Sequence, residues 1–393
     1  MGTDVFVTGI GVISAIGLNV GENLSALKSQ RSGLVSREIP SKKGAVITGP
    51  VPVSDEEMAE KLQIPDRPVS RTSLLGAWAA AEAWQGHEHF SALKTGLISS
   101  TSVGGMDRSE VFYKDYLGGK PADFGQLRCH DSGSTSECIA RSLGISGYVN
   151  TLSTACSSGA NAIMLGARLL QQGWLDRVVV GGTDALTSFT LHGFDSLMIY
   201  DSSNTRPFDE SRAGLNLGEG AAFLVLESER SLKITGKQSM GRVRGWGNAA
   251  DAYHQTASSP EGKGASLAMA EAIRTAGLQP AGITYVNAHG TGTPNNDQSE
   301  SVALKHIFND QVPYFSSTKA FTGHTLAAAG AIEAVFSILS IREALMWPNL
   351  NFSEPIIGTE LLPLTSLTAG RVEAVLSNSF GFGGNNSSLV FTD

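Results

Sequence analysis

The chain has 393 residues, 41% of them apolar and 17% charged, with a formal net charge of −8. That balance supports a large buried core and excludes a disordered tail, and the negative sign without a Lys/Arg run excludes general nucleic-acid binding. No apolar run reaches the ~18 residues of a membrane span, and Met1–Phe6 shows no basic-then-apolar leader, so a cytoplasmic protein without membrane insertion is expected.

By length the chain is two domains or one large α/β unit. Val5–Val12 reads as an opening strand. Its Gly9-Ile10-Gly11 is half of a dinucleotide fingerprint, but Ser14 stands where the third glycine is needed, so that reading is set aside. A helix is predicted over Arg71–Trp84. Cysteines fall at 129, 138 and 156, an odd count with no metal-ligand spacing, which fits a reducing compartment and no metal site.

Cys156 lies in Thr154-Ala155-Cys156-Ser157-Ser158-Gly159-Ala160, followed by a predicted helix over Ser157–Gln172. At a helix start the dipole and unpaired N–H groups favour the thiolate, the nucleophilic form. The plainer reading is an inert cysteine in a Gly/Ala packing helix. Strands follow at Arg177–Asp184 and Gly218–Glu227. A polar connection over Leu232–Met240 divides the chain into 1–235 and 236–393.

The second part repeats the grammar of the first. Gly241–Gly247 opens it, a helix is expected over Gly264–Ala276, and Ile283–Val286 is a short strand leading to Asn287-Ala288-His289-Gly290-Thr291-Gly292-Thr293. A histidine at a strand end on a Gly/Thr loop is placed for a cleft, or it merely caps a turn. Pro313–Phe315 is another strand. After it come Lys319 and His324, and a helix over Thr325–Ala344 that carries Glu333. His324 at a helix start should resist protonation, and Lys319 with Glu333 is either a surface ion pair or a buried pair that holds something in place. Strands at Val372–Ser379 and Gly383–Phe391 close the half. Runs of apolar residues without alternation suggest strands covered on both faces, so the fold class is layered α/β, with any site at the junction of the halves.

Four motifs in order then resemble the elongating β-ketoacyl-[acyl-carrier-protein] synthases of the thiolase superfamily, over essentially the whole chain. They are the Cys156 turn, the His289 loop, Ser317-Thr318-Lys319-Ala320-Phe321-Thr322-Gly323-His324, and Asn378-Ser379-Phe380-Gly381-Phe382-Gly383-Gly384. The resemblance implies a five-layered αβαβα fold of two related halves and a homodimer. It implies that Cys156 carries an acyl group and that malonyl thioester loses its carboxylate with His289 and His324 stabilising the charge. A second cysteine in place of one histidine would indicate a thiolase, and the Cys/His/His set does not fit that class.

The resemblance further implies an oxyanion hole from the Cys156 and Phe382 N–H groups, with Phe382 also a gate over the acyl pocket. Lys319 and Glu333 would support the histidines, and Thr291 and Thr293 would bind the phosphopantetheine arm supplied by an acyl carrier protein. No resident cofactor or metal is expected. Arg212, Arg67 and Arg71 would meet the acidic carrier, and Val103, Met106 and Phe194 would shape the acyl pocket. Departures from the housekeeping pattern at Pro68, Leu215–Leu217, Asn386 and Ser387 keep an alternative open. This is a ketosynthase subunit of a specialised polyene or polyketide pathway, with or without a partner subunit.

Overall fold

The computed structural model describes residues 4–38, 45–64, 68–87, 89–309 and 311–393. Among these, ten strands form one sheet: β1 (Val5–Ser14), β2 (Thr95–Ser100), β3 (Tyr148–Leu152), β4 (Arg177–Asp184), β5 (Gly220–Ser228), β6 (Gly241–Ala250), β7 (Tyr285–Asn287), β8 (Tyr314–Ser316), β9 (Ala374–Gly381) and β10 (Asn385–Thr392). Their spatial order is β8-β7-β9-β10-β6-β1-β5-β4-β2-β3.

Read outward from the centre, the two halves have one topology. In each, the first strand pairs antiparallel with the last, the last with the fourth, and two parallel strands follow. Within the ten-stranded sheet, the described residues of the two halves pair through Phe6↔Arg242 and Val7↔Gly241. The repeat in the sequence is therefore a repeat in space.

The helices used below are α1 (Arg71–Trp84), α2 (Met106–Leu117), α3 (Ser132–Ser142), α4 (Ser158–Gln171), α5 (Ser188–Ser196), α6 (Lys263–Ala276), α7 (Pro294–Phe308) and α8 (Ala329–Glu343). Helices α4 and α8 pack against each other between the halves. Helices α1 and α3 cover the outer face of one half, and α6 and α7 that of the other. The result is the five-layered arrangement of the thiolase-like fold.

Paired glycines explain the close packing. A Cβ at Gly9 or Gly11 would lie 2.1 Å from the carbonyl oxygens of Ala83 or Ala79 on α1. At Gly245 or Gly247 it would lie 2.3 or 2.1 Å from those of Ala272 or Ala268 on α6. The Gly-x-Gly of β1 is thus a helix-packing device, as is its counterpart in β6. Between the layers, Gly159 and Gly330 let α4 and α8 cross at backbone contact. Residues Ala329–Ile341 of α8 are buried on every side, which is why this stretch lacks a polar face. None of the described helices is long and apolar enough to cross a membrane.

Candidate active site

The loops at one end of both half-sheets converge on a cavity of about 380 Å³ lined by Cys156, His289, His324, Thr291, Thr293 and Phe382, among others. Each side chain arrives for a local reason.

Cys156 sits on the turn between β3 and α4. Ala155 takes a left-handed φ of 53°, and the Ser158 hydroxyl accepts from Thr154 N–H while donating to the Ala155 carbonyl. Gly381 lies against this turn: a Cβ there would be 3.0 Å from the Thr154 oxygen. That contact brings the Phe382 N–H to the sulfur, which also faces its own N–H.

His289 follows β7. Its N–H and that of Gly290 donate to Glu300 at 2.9 and 2.8 Å, and Thr291 N–H donates to Asp297 at 3.0 Å. Asp297 and Glu300 are three residues apart on the first turns of α7, so both carboxylates reach back to the loop before it. Asn378 on β9 donates to Glu300 as well, at 3.0 Å. Burial pushes the Glu300 carboxyl up to about 7, against these N–H bonds. Neither acid was singled out from sequence. An Asp-x-x-Glu directly after a Thr-Pro helix start was the signal available.

Lys319 is 2% exposed and donates to Glu333 Oε1 (2.5 Å), to the His289 carbonyl (2.6 Å) and to His289 Nδ1 (3.2 Å). It is a buried pair that holds His289 in place, not a surface one. Burial raises the Glu333 carboxyl to about 7, opposed by Lys319.

His324 does not open the helix expected from Thr325. A 3₁₀ turn, Leu326–Ala328, comes first, and α8 starts at Ala329. His324 Nδ1 accepts from Leu326 N–H at 3.1 Å. Both histidines therefore use Nδ1 as an acceptor, and the neutral ring carries its hydrogen on Nε2. Burial first, then the charge of Lys319, holds both well below the ordinary histidine range, so both are neutral donors. The Cys156 sulfur and one ring nitrogen of each histidine lie within 4.8 Å of one another. That is metal-like spacing, but a metal on Nε2 would need the hydrogen on Nδ1, where a donor already sits. The tautomers suit hydrogen bonding to a substrate oxygen instead.

The Cys156 thiol corrects an expectation. Burial pushes it up to about 11, outweighing the Phe382 N–H, the Lys319 charge and its own N–H. The resting group is a thiol. Alkylation by iodoacetamide, read as mass at Cys156, is expected to rise about tenfold per pH unit from pH 7 to 9. A plateau by pH 8 would mean that the N–H groups and Lys319 prevail.

The remaining expected residues divide. Thr291 and Thr293 share a 2.8 Å hydroxyl bond on the cavity wall. The half-buried Phe382 ring stacks on Phe194 of α5 with centroids 5.6 Å apart, so Phe194 does face the cavity. Val103 and Met106 instead pack behind it with Leu191 and Leu215. Arg212 lies at the mouth, donating to the carbonyls of Pro294 and Asp209, with its side chain only 8% exposed. Arg71 is turned inward, forked onto Glu219 at 2.7–3.0 Å and onto Asp55 at 2.7 Å, so it forms no docking surface. Arg67 lies outside the described residues.

Comparison with known proteins agrees with this geometry. The family description "Beta-ketoacyl synthase, N-terminal domain" matches residues 2–231, and "Beta-ketoacyl synthase, C-terminal domain" matches residues 240–353. A 3-oxoacyl-[acyl-carrier-protein] synthase 2 of Synechocystis sp. is 34% identical over 98% of this chain and 97% of its own length. One from Staphylococcus aureus is 36% identical over 77% of each. Among solved structures, the ishigamide ketosynthase/chain length factor is similar with a TM-score of 0.93 at 28% identity, covering 100% of this chain and 99% of that one. A ketosynthase in complex with its chain length factor from Xenorhabdus doucetiae has a TM-score of 0.88 at 32% identity, covering 99% and 98%.

Proposed function

The chain belongs to the β-ketoacyl synthase family of condensing acyltransferases, and on that premise we propose that it extends an acyl chain by two carbons on an acyl carrier protein. The observation that carries this reading is the convergence of the Cys156 sulfur with two neutral, Nε2–H histidines at the base of one cavity.

In the first half-reaction the Cys156 sulfur loses its proton and attacks the thioester carbonyl of an acyl-carrier. The N–H groups of Cys156 and Phe382 receive the developing oxyanion. The carrier's pantetheine thiol leaves, taking up a proton, and the acyl group stays on Cys156. In the second, the C–C bond to the malonyl carboxylate breaks and carbon dioxide departs. The electron pair moves into the enolate, whose oxygen takes hydrogen bonds from His289 and His324 Nε2–H. Its carbon attacks acyl-Cys156, and the Cys156 thiolate is the leaving group. Thr291 and Thr293 line the path of the pantetheine arm, and Arg212, 8% exposed and bonded to the Pro294 and Asp209 carbonyls, braces the chain beside that path rather than presenting its charge to the carrier. The reaction so written uses no resident cofactor or metal.

Fatty-acid synthesis is the first pathway assignment, after the curated relatives. A specialised polyene or polyketide role is the second, favoured by the similarity to ketosynthase/chain length factor structures. The surface around α2 exposes Tyr113, Tyr116, Leu117 and Phe124, an apolar face suited to a second thiolase-fold subunit, identical or not. An acyl-carrier series, read as intact mass added at Cys156, tests the assignment. Saturated chains taken up by a purified homodimer support the first. Uptake only after adding a partner subunit supports the second, and no uptake of any donor sinks both.

A further inference from the structure

Asp184 makes no bond in the steps above, yet it is buried beside them at the end of β4. Its Oδ1 accepts from the Thr101 hydroxyl (2.5 Å) and from the N–H groups of Ser102 (3.0 Å) and Val103 (3.1 Å). Its Oδ2 accepts from Ser102 N–H (3.1 Å) and from Ala327 N–H (2.8 Å). The first group is the segment after β2. The last belongs to the turn that follows His324.

That turn is strained. Leu326 takes a φ of 53°, a left-handed conformation that is unfavourable for a residue with a Cβ. Two acceptors hold it there. Leu326 N–H goes to His324 Nδ1, and the next N–H, of Ala327, goes to Asp184. Gly182 lets the turn in, since a Cβ there would stand 2.7 Å from the Ala327 oxygen.

We propose that Asp184 is a positioning residue for His324: its carboxylate pins the left-handed Leu326 turn, and the pinned turn keeps the His324 hydrogen on Nε2, facing the substrate. An asparagine has the same shape but only one acceptor oxygen. With its NH2 facing N–H donors, either the Thr101–Val103 segment or the Ala327 turn loses its partner. Asp184 also acts on the nucleophile, because its negative charge helps to hold Cys156 as a thiol. Neutralising it therefore has opposite effects on the two catalytic groups.

The activity arm of the test rests on the condensing reading. In Asp184→Asn, kcat for malonyl-carrier decarboxylation is expected to fall about 10- to 100-fold with little change in KM. Cys156 alkylation by iodoacetamide at pH 8 is expected to rise about 2- to 5-fold. Nitrogen-15 histidine spectra should show His324 leaving its single tautomer. An unchanged kcat overturns the inference, and so does a fall in both decarboxylation and alkylation, which is what general loosening would produce. If Asp184→Asn does not fold, Asp184→Glu keeps the charge while displacing the oxygens. It should lower decarboxylation and leave alkylation at the wild-type rate, and normal decarboxylation in that variant overturns the proposal. A wild-type enzyme that decarboxylates nothing would instead defeat the functional reading, while the tautomer spectra would still decide the role of Asp184.

Discussion

Replacing Cys156 by alanine is expected to remove condensation by about 10⁴-fold or more while leaving malonyl decarboxylation in place. In the mechanism proposed above, the two halves of the chemistry use different groups. The acyl group needs the sulfur and two N–H donors, those of Cys156 and Phe382. The enolate needs only the Nε2–H groups of His289 and His324, whose partners are Lys319 and the Leu326 N–H. None of those partners is held by the Cys156 side chain. Carbon dioxide release from malonyl-carrier, measured beside 3-oxoacyl product, separates the two. Loss of both together would show that the histidines depend on the sulfur, against the division of labour argued above.

Lys319→Met is expected to be the most destructive change away from the sulfur. It strands the Glu333 carboxylate, buried with Oε2 unpartnered already, and removes the donor to His289 Nδ1. Breaking a buried pair on one side costs about 3–5 kcal/mol. The cost should depend on pH with a definite sign. Glu333 already sits near 7 with Lys319 present, and without it the folded value moves higher still. Unfolded, it returns to the ordinary 4.5, so stability falls as pH rises from there through the folded value. Thermal midpoints of Lys319→Met should therefore drop further below wild type at pH 8 than at pH 5.5. Adding Glu333→Gln should restore much of the midpoint but not decarboxylation, because His289 still lacks its donor. Recovery of activity with stability would reduce Lys319 to a packing role.

The extent to which the sequence foretold this molecule varies with how local each feature is. Helix α1 spans the residues predicted, since Ser70 caps it and Gly86 turns the chain just beyond its end. Helix α4 runs Ser158–Gln171 against an expected Ser157–Gln172, and the matched topology of the halves follows from their repeated strand and glycine patterns. Short buried strands slid by one or two residues: Ile283–Val286 became Tyr285–Asn287, because pairing with β8 and β9, not hydrophobicity, sets their ends.

What was illegible depended on distant residues. Dipole reasoning favoured a Cys156 thiolate, but burial under loops from the other half reversed it. Arg71 looked like a free cation until Glu219, 148 positions away, took its guanidinium. The left-handed Leu326 could not be read from a run of Thr-Leu-Ala-Ala, since the groups that hold it are Asp184 and His324. The motifs that converge on the cavity were legible because the chemistry they suggest is written in residue type. Their protonation states were not, because these are written in three-dimensional surroundings.

The most direct measurement is product analysis of the purified chain given one acyl-carrier and malonyl-carrier. The expected result is a 3-oxoacyl-carrier two carbons longer than the donor, with one carbon dioxide released per product and a transient acyl mass on Cys156. Acyl transfer to Cys156 without elongation across the donor series, or exchange with coenzyme A in the absence of malonyl substrate, would contradict it.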